Sequence, residues 1–300
     1  MQHYELGIAW NWKYDEDFVR GLEHECAAVG VTTYRVESHN VKETLQLLRT
    51  KKISFGMYFD RASDDGEEFQ LISNYVQKTE IPIINNYDAV EHAKDKATMH
   101  LELLSAGIHT PYTIIISPYN KKQEVEFTIS ELAALGRPFI IKPANTTGGG
   151  IGVVMGAETL KDIIKTRQHH KNDKYLLQET MYPVILDNKQ AWFRIFYAFG
   201  EIILCWWDTQ THRHTIVTFE EEQKFALSPL RSILKKIQRV CKLDFFSSEI
   251  ALVENGKFVA IDYVNEVCDM RLQSKHFDGV PDDVVLTIQQ KLAVFVKKKK

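Results

Sequence analysis

The chain has 300 residues, 44% of them apolar and 26% charged, so it is long enough for a well-buried core divided over two or three subdomains. Its net charge of −3 argues against a general nucleic-acid binder, which would carry a basic excess. The four cysteines form no Cys-x-x-Cys pair, and no signal-peptide pattern or apolar run long enough to span a membrane is present. We therefore expect a cytoplasmic protein with reduced thiols that binds neither membrane nor nucleic acid.

The first part of the chain alternates between two kinds of hydrophobic pattern. Strand patterns cover 4–10, 31–36, 53–59 and 81–84, and helical spacing covers 18–29, 41–48 and 69–76. This alternation predicts a parallel α/β sheet. Ligands bind beyond the carboxyl ends of such strands, which makes 11–13 and 60–63 candidate substrate loops. The alternative is that Asp60 and Arg61 cap and pair at a surface turn.

A helix is predicted over 97–104, with Gly107 at its C-terminal stop. Asp95 and Lys96 stand at its beginning. A cation at the positive end of a helix is unfavourable unless an anion lies nearby, so Lys96 is a candidate anion-binding residue. The alternative is an ordinary surface lysine.

A glycine-rich stretch follows a short strand at 139–141. Lys142 and Pro143 end that strand, and a strand pattern resumes at 153–155. The intervening hydroxyls and glycines offer backbone amides that can close on a phosphate: Thr146, Thr147, Gly148, Gly149, Gly150 and Gly152. Neither common phosphate-binding motif is present, because the loop leads into a strand and not into a helix. We expect Lys142 at a strand end outside the core; a glycine-rich hairpin with one exposed lysine is the alternative.

Polar residues recur at strand ends in the second half of the chain. The strand 175–179 ends in Gln178 and Glu179, which with Met181 could surround a flat base. Strands at 247–253 and 257–264 flank an Asn-Gly turn and bring Glu249, Asp262 and Asn265 together if they pair. Such oxygen ligands suit Mg²⁺. Asp262 and Asn265 would face opposite sides of a regular strand, so a bend or bulge is expected between them. Two unrelated surface acids are the alternative.

Taken in order, the Asp95-Lys96 helix start, Lys142 with its glycine loop, Gln178-Glu179, the Arg194 strand and the Glu249, Asp262 and Asn265 set resemble the ATP-grasp superfamily. The resemblance covers essentially the whole chain. It implies an α/β protein with an N-terminal Rossmann-like parallel-sheet domain over 1–87, followed by a two-part α+β ATP-grasp domain over 88–300. Within the latter, about 111–179 would form the lid with the glycine flap and about 180–300 the metal-binding subdomain.

The resemblance also implies a role for each motif. Lys96 and Lys142 would grip the phosphates of ATP, and the glycine flap would close over them. Gln178, Glu179 and Met181 would surround the adenine, and Glu249, Asp262 and Asn265 would hold Mg²⁺. Arg194 would reach the reacting phosphoryl or carboxyl group. Arg271 suits a clamp on a substrate carboxylate, or equally a salt bridge to Asp269 or Glu266.

Two departures bear on the substrate side of this resemblance. Trp192 stands where ligases of the superfamily often carry an aspartate, two residues before the arginine. Two residues separate Asp262 from Asn265, where one is usual, and the Pro-Gly that often follows the asparagine is absent.

The function that this resemblance implies is an ATP-dependent ligase. It would join a carboxylate to an amine, or to a thiol, through an acyl phosphate, and the default substrates for the superfamily are amino acids or peptides. A kinase acting on a small polyol and a nucleotide-binding protein without ligase activity are the alternatives. The sequence does not define the oligomeric state, for which a homodimer is the commonest assembly. The lysines at 297–300 are expected to form a solvated, frayed terminus.

Overall fold

A computed structural model defines the fold of residues 1–64, 66–146 and 152–299. The N-terminal strands are β1 (Gln2–Trp10), β2 (Thr33–Val36), β3 (Ile53–Arg61) and β4 (Ile83–Ile84), and the helices between them are α1 (Glu16–Ala28), α2 (Val41–Arg49) and α3 (Glu67–Gln77). The strands form a parallel sheet in the order β2-β1-β3-β4, which confirms the predicted architecture. Gly30, with φ +75°, adopts the left-handed conformation that ends the α1 segment and returns the chain to the sheet.

Two consecutive helices lead out of this sheet, α4 (Tyr87–Lys94) and α5 (Lys96–Ser105). Asn86 caps α4, and the Asp95 carboxylate caps α5 by accepting hydrogen bonds from the backbone of Ala97 and Thr98. These caps explain why the helical region is divided at Asp95. Lys96 consequently occupies the first turn of α5.

The next part of the chain forms an antiparallel sheet. Its strands are β5 (Thr113–Ile116), β6 (Phe139–Pro143), β7 (Val154–Ala157) and β8 (Tyr175–Glu179), with helices α6 (Ile129–Leu135) and α7 (Leu160–Thr166) between them. The strand order is β5-β8-β6-β7. Phe139, Ile141, Tyr175 and Leu177 alternate along the two central strands and form the core of this unit.

A larger antiparallel sheet follows. After the short pair β9 (Ile185–Leu186) and β10 (Lys189–Gln190), its strands are β11 (Trp192–Ala198), β12 (Glu201–Trp207), β13 (His214–Ile216), β14 (Phe245–Leu252) and β15 (Phe258–Asn265), with helices α8 (Phe219–Lys224) and α9 (Pro229–Cys241). The order is β13-β12-β11-β14-β15. Phe193 and Ile195 pack toward α9, so the alternate residues, including Arg194, lie on the opposite face.

The C-terminal helix α10 (Asp282–Lys298) packs against α1 and completes the core of the first sheet. Its buried residues Val285, Ile288 and Leu292 recur at helical spacing. The sequence analysis did not predict this helix. The expectation of a frayed terminus is wrong for Lys297 and Lys298, which form the last turn of α10, where positive charge is favourable.

Within the described ranges, none of the helices combines the length and the hydropathy that a bilayer crossing requires.

Candidate active site

Lys142 lies near the end of β6 and points across to the third sheet. Its ammonium donates a hydrogen bond to the carbonyl oxygen of Ile261 at 3.1 Å and lies 5.3 Å from the centre of the Tyr263 ring. The residue is only 7% exposed, so the expectation that it lies outside the core is wrong. Burial lowers the pKa of Lys142 to about 8, against the opposing effect of the Asp262 carboxylate.

Lys96 approaches the same place from α5. Its ammonium lies 3.8 Å from Asp262 Oδ1, and its side chain is largely buried. It also contributes to the lowered pKa of Lys142, which places the two cations within electrostatic reach of each other. The position of Lys96 at a helix N-terminus indicated that an anion should lie nearby, and in the structure that anion is Asp262 on β15.

The three predicted metal ligands lie on the paired strands β14 and β15. Glu249 is directly opposite Asp262, and Ser247 is opposite Asn265. The chain advances by three residues along β15 where it advances by two along β14. This register shift confirms the predicted irregularity between Asp262 and Asn265. The extra residue in β15 allows the side chains of Asp262 and Asn265 to lie on the same face of the sheet.

The Glu249 carboxylate is held by two donors from β11. Arg194 Nη2 forms an ion pair with Glu249 Oε1, and the Trp192 indole N–H donates to Oε2 at 2.9 Å. Strand alternation puts the side chains of Trp192 and Arg194 on the same face of the sheet. Trp192 therefore provides a hydrogen-bond donor to Glu249, whereas an aspartate at this position would place a second negative charge beside it.

Arg194 is enclosed by several groups at once. Its Nη1 donates to Ser247 Oγ at 3.2 Å, and its guanidinium lies 4.7 Å from the centre of the Trp207 ring. Although burial opposes the charge, the carboxylates of Glu249 and Asp262 raise the pKa of Arg194. Arg194 is therefore a fixed cation beside the two acids.

The donor set of Glu249, Asp262 and Asn265 fits a hard divalent cation in its chemistry. The Asn265 amide oxygen accepts from Arg194 Nη1 at 3.1 Å in the orientation that also lets its amide nitrogen donate to the Val267 carbonyl. Both carboxylates already lie against cations, Glu249 against Arg194 and Asp262 against Lys96. In the described part of the chain, no cluster of three or more His, Cys, Asp or Glu side chains could hold a metal, so a cation here would depend on two carboxylates and the amide.

The residues predicted to surround a base lie where β8 meets the third sheet. The buried Gln178 donates to Thr113 Oγ1 at 3.0 Å and to the Tyr263 hydroxyl at 3.1 Å. Glu179 Oε1 accepts from the backbone N–H of Tyr112 at 2.7 Å. Met181 packs against a cluster on β14 and β15 that includes Ile261, so this group adjoins the carbonyl that Lys142 contacts.

Of the predicted phosphate loop, the structure describes Thr146 at the beginning and Gly152, with φ +78°, at the end. The backbone N–H and the hydroxyl of Thr146 both donate to Asp173 Oδ2, at 3.0 and 2.9 Å. Asp173 also accepts from the backbone and side chain of Asn145. Thr147, Gly148, Gly149 and Gly150 lie outside the described residues.

Arg271 lies in the segment after β15 and forms ion pairs with Asp269 at 2.7 Å and with Asp278 at 2.8 Å. The pairing with Asp269 was one of the two sequence alternatives, and Asp278 was not foreseen. The guanidinium also lies 5.8 Å from the centre of the Trp12 ring, in one of the two predicted substrate loops. In the other, Asp60 accepts from the backbone of Ala62 and Ser63, as a turn residue does.

Two buried residues beside the lysine pair were missed. The Tyr263 hydroxyl bonds His100 Nδ1 at 2.7 Å, and burial lowers the pKa of His100 to about 4. His100 follows Lys96 by four residues on α5, so helical spacing alone would have placed it on the same face. No comparable signal marks Tyr263 or the Ile261 carbonyl.

No protein-family model matches the sequence, and no curated protein matches it by sequence. Solved structures match it along its whole length. A RimK-domain ATP-grasp protein from Sphaerobacter thermophilus aligns over 97% of this chain and 98% of its own, with a TM-score of 0.64 and 16% identity. D-alanine–D-alanine ligase from Bacillus anthracis, solved with ATP, covers 100% and 99% at a TM-score of 0.63 and 13% identity. The ATP-grasp ligase PsnB, solved with a minimal precursor, Mg and ADP, covers 98% of each chain at 0.61 and 12%.

A parallel sheet followed by antiparallel sheets gives this chain a mixed α/β architecture, and the solved structures named above align with it over nearly its full length. The chain has the ATP-grasp fold. The resemblance predicted from its motifs is therefore confirmed at the level of the fold.

Proposed function

We propose that this protein is a Mg²⁺- and ATP-dependent ligase that joins a carboxylate to an amine through an acyl phosphate. The observation that carries the proposal is the convergence of Lys96, from α5, and Lys142, from β6, on the Asp262 side of β15. Two cations from different subdomains, facing a pair of acids, suit a nucleotide triphosphate and its metal. Ligase chemistry in similarly folded proteins supports the same assignment.

We propose the following roles for these residues. Lys96 and Lys142 bind the phosphates, and 146–150 close over them. Gln178, Glu179 and Met181 surround the base. Arg194 neutralises charge at the reacting centre, and Arg271 orients the carboxylate-bearing substrate from the segment after β15. We also propose that 1–87 forms a preceding domain, with the lid at about 111–179 and the acids within about 180–300.

Glu249, Asp262 and Asn265 are the residues that would hold Mg²⁺. When bound, the ion would neutralise phosphate charge and orient the triphosphate. Within the chain, Arg194 neutralises Glu249 and Lys96 lies against Asp262.

The chemistry proceeds in two balanced steps. A carboxylate oxygen of the substrate attacks the γ-phosphorus, the bond to the β-phosphate oxygen breaks, and ADP leaves. The amine nitrogen then attacks the acyl carbon, the carbon–oxygen bond to phosphate breaks, and phosphate departs with the electron pair while the amine releases a proton. The residues contribute mainly placement and positive charge, which this reaction requires more than a covalent partner. Closure over the phosphates would keep water from the acyl phosphate.

The test replaces Lys142 with methionine, which retains the volume of a long side chain without its charge. We expect ATP turnover to fall by about 100-fold or more while the circular dichroism spectrum is unchanged. Lys161→Met, at an exposed position on α7, is the matched control and should retain full turnover. Unchanged turnover in Lys142→Met would refute the proposed site.

The products distinguish a ligase from a kinase on the same fold. Incubation with ATP, Mg²⁺ and panels of carboxylates and amines should yield ADP, free phosphate and an amide in equal amounts. A phosphorylated product would instead identify a kinase. Nucleotide binding with no turnover over the whole panel would identify a binding protein.

A further inference from the structure

A cavity of about 310 Å³ lies between the first sheet and the segment that follows β15. It opens beyond the carboxyl ends of β3 and β4, and its other walls come from α3 and α4 together with Glu266 and Val267. Its volume is that of a site for a small molecule, about 300 Å³ or more. The carboxyl edge of a parallel sheet is also the usual position of a ligand in α/β proteins.

The charges that line this cavity are predominantly negative. Arg61 is neutralised by Asp15, to which it donates two hydrogen bonds at 2.7 and 2.8 Å inside the protein. The remaining charged lining residues are one lysine and four acids: Lys94, Asp60, Asp64, Glu91 and Glu266. Such a lining favours a cation and disfavours a carboxylate.

Glu266 is the acid with capacity to bind a ligand. Its side chain is only 18% exposed, yet the nearest cation, Lys94 Nζ, is 3.9 Å away, which is too far for a hydrogen bond. Lys94 is shared with Glu91 at 3.6 Å. Asp60 differs, because it already accepts from Ser73 and Tyr87 side chains and from the backbone. The Glu266 carboxylate also accepts a hydrogen bond from its own backbone N–H, which leaves other acceptor positions on this largely buried group that a ligand donor can fill.

The cavity adjoins the proposed nucleotide site. Glu266 directly follows Asn265 and lies within electrostatic reach of both Lys96 and Asp262. Lys94 ends α4, and Lys96 begins α5 two residues later. A small molecule bound against Glu266 would therefore extend toward the phosphate-binding lysines.

We infer that this cavity binds the non-reacting ammonium of a diamine or a basic amino acid, whose second amine is the nucleophile. The inference rests on the proposed function, because it assigns the amine substrate of that reaction. Glu266 accepts the hydrogen bonds of the ammonium, and Asp64 and Glu91 add negative charge at the mouth of the cavity.

The test measures binding of matched amines to the whole chain in the presence of Mg²⁺ and a non-hydrolysable ATP analogue. The pairs are L-lysine with L-norleucine, and 1,4-diaminobutane with butylamine, so that each pair differs only by one ammonium group. By NMR titration, we expect the member with two ammonium groups to bind about tenfold more tightly in at least one pair. Equal affinities within both pairs would overturn the inference.

Two variants connect this preference to the cavity. Glu266→Gln and Asp64→Asn should each reduce the preference by about threefold or more, and Glu68→Gln, an exposed residue on α3, should leave it unchanged. Asp64 is exposed, so its variant decides the question if Glu266→Gln does not fold. A preference that survives both variants would overturn the assignment to this cavity.

Affinity for the ATP analogue is measured in the same samples. If the wild-type chain does not bind the nucleotide analogue, the proposed function is refuted. If it binds the analogue but does not prefer amines with two ammonium groups, only the cavity inference is refuted.

Discussion

Lys142 Nζ donates a 3.1 Å hydrogen bond to the carbonyl oxygen of Ile261, the residue immediately before Asp262. This contact joins the second sheet to the third at the acids proposed to hold the metal. It also buries an ammonium in a site where its charge is costly, because few water molecules can reach it. Both the proton equilibrium of Lys142 and its affinity for a phosphate depend on this position.

The first prediction concerns the pH dependence of nucleotide binding. Burial lowers the pKa of Lys142 to about 8 from its ordinary value of 10.5, so the ammonium is lost as pH rises through about 8. We expect the dissociation constant of an ATP analogue, measured by calorimetry, to rise between pH 7 and 9.5. Lys142→Met should bind more weakly and without this slope. Equal slopes in the two proteins would show that Lys142 does not bind the nucleotide as a cation.

The same shift predicts a rise in stability of the nucleotide-free protein with pH. Between about pH 8 and 10.5 the unfolded chain holds a proton on Lys142 that the folded chain has released, so the free energy of unfolding increases across this window. The contribution is at most about 3 kcal/mol. Urea denaturation at several pH values should show the increase in the wild type and not in Lys142→Met. A decrease in the wild type, relative to the variant, would contradict the buried position.

The patterns that predicted the fold are local. Alternating strand and helix spacing predicted the first sheet, and the bounds of β8 match the predicted 175–179. The mismatch in periodicity between Asp262 and Asn265 predicted the irregularity on β15, because side chains alternate strictly along a regular strand.

Most of the features that the sequence did not reveal depend on distant contacts. Lys142 is buried because Ile261 and Tyr263, more than a hundred residues later, cover it. Trp192 looked like the loss of an acid, whereas its indole holds Glu249 from the neighbouring strand. The second partner of Arg271, Asp278, follows from the conformation of an irregular segment, which has no periodicity from which to predict it.

Trp192 provides the next prediction. Trp192→Phe keeps an aromatic ring but removes the N–H that donates to Glu249 Oε2 at 2.9 Å. The carboxylate is largely buried, so the loss should lower the free energy of unfolding by about 1 kcal/mol, measured by urea denaturation. Trp12→Phe, at a partly exposed indole in the first substrate loop, should change it by less than about 0.5 kcal/mol. Equal effects at the two positions would mean that the Trp192 bond contributes nothing.

The buried pair of Asp15 and Arg61 predicts a larger effect. Arg61 also donates to the Cys268 carbonyl at 2.9 Å, so it connects the first sheet to the segment after β15. Asp15→Asn would leave its guanidinium buried without a countercharge, and we expect a loss of about 3–5 kcal/mol in urea denaturation. Glu16→Gln breaks the exposed pair with Arg20 and should cost less than about 0.5 kcal/mol. A cost for Asp15→Asn as small as that of the control would show that the pair is not structurally important.

The side chain of Asp173 fixes the conformation of the chain where the predicted phosphate loop begins. Its carboxylate accepts four hydrogen bonds from Asn145 and Thr146, where that loop begins, and it is nearly completely buried. Asp173→Asn replaces one acceptor oxygen with an amino group that faces these donors, so the entry to the loop should lose its defined position. We expect the affinity for an ATP analogue, measured by calorimetry, to fall by about tenfold. Asp162→Asn, which alters only the exposed cap of α7 in the same subdomain, should bind as the wild type does. If Asp173→Asn is folded and binds the analogue with wild-type affinity, the chain at 145–146 does not position the phosphates.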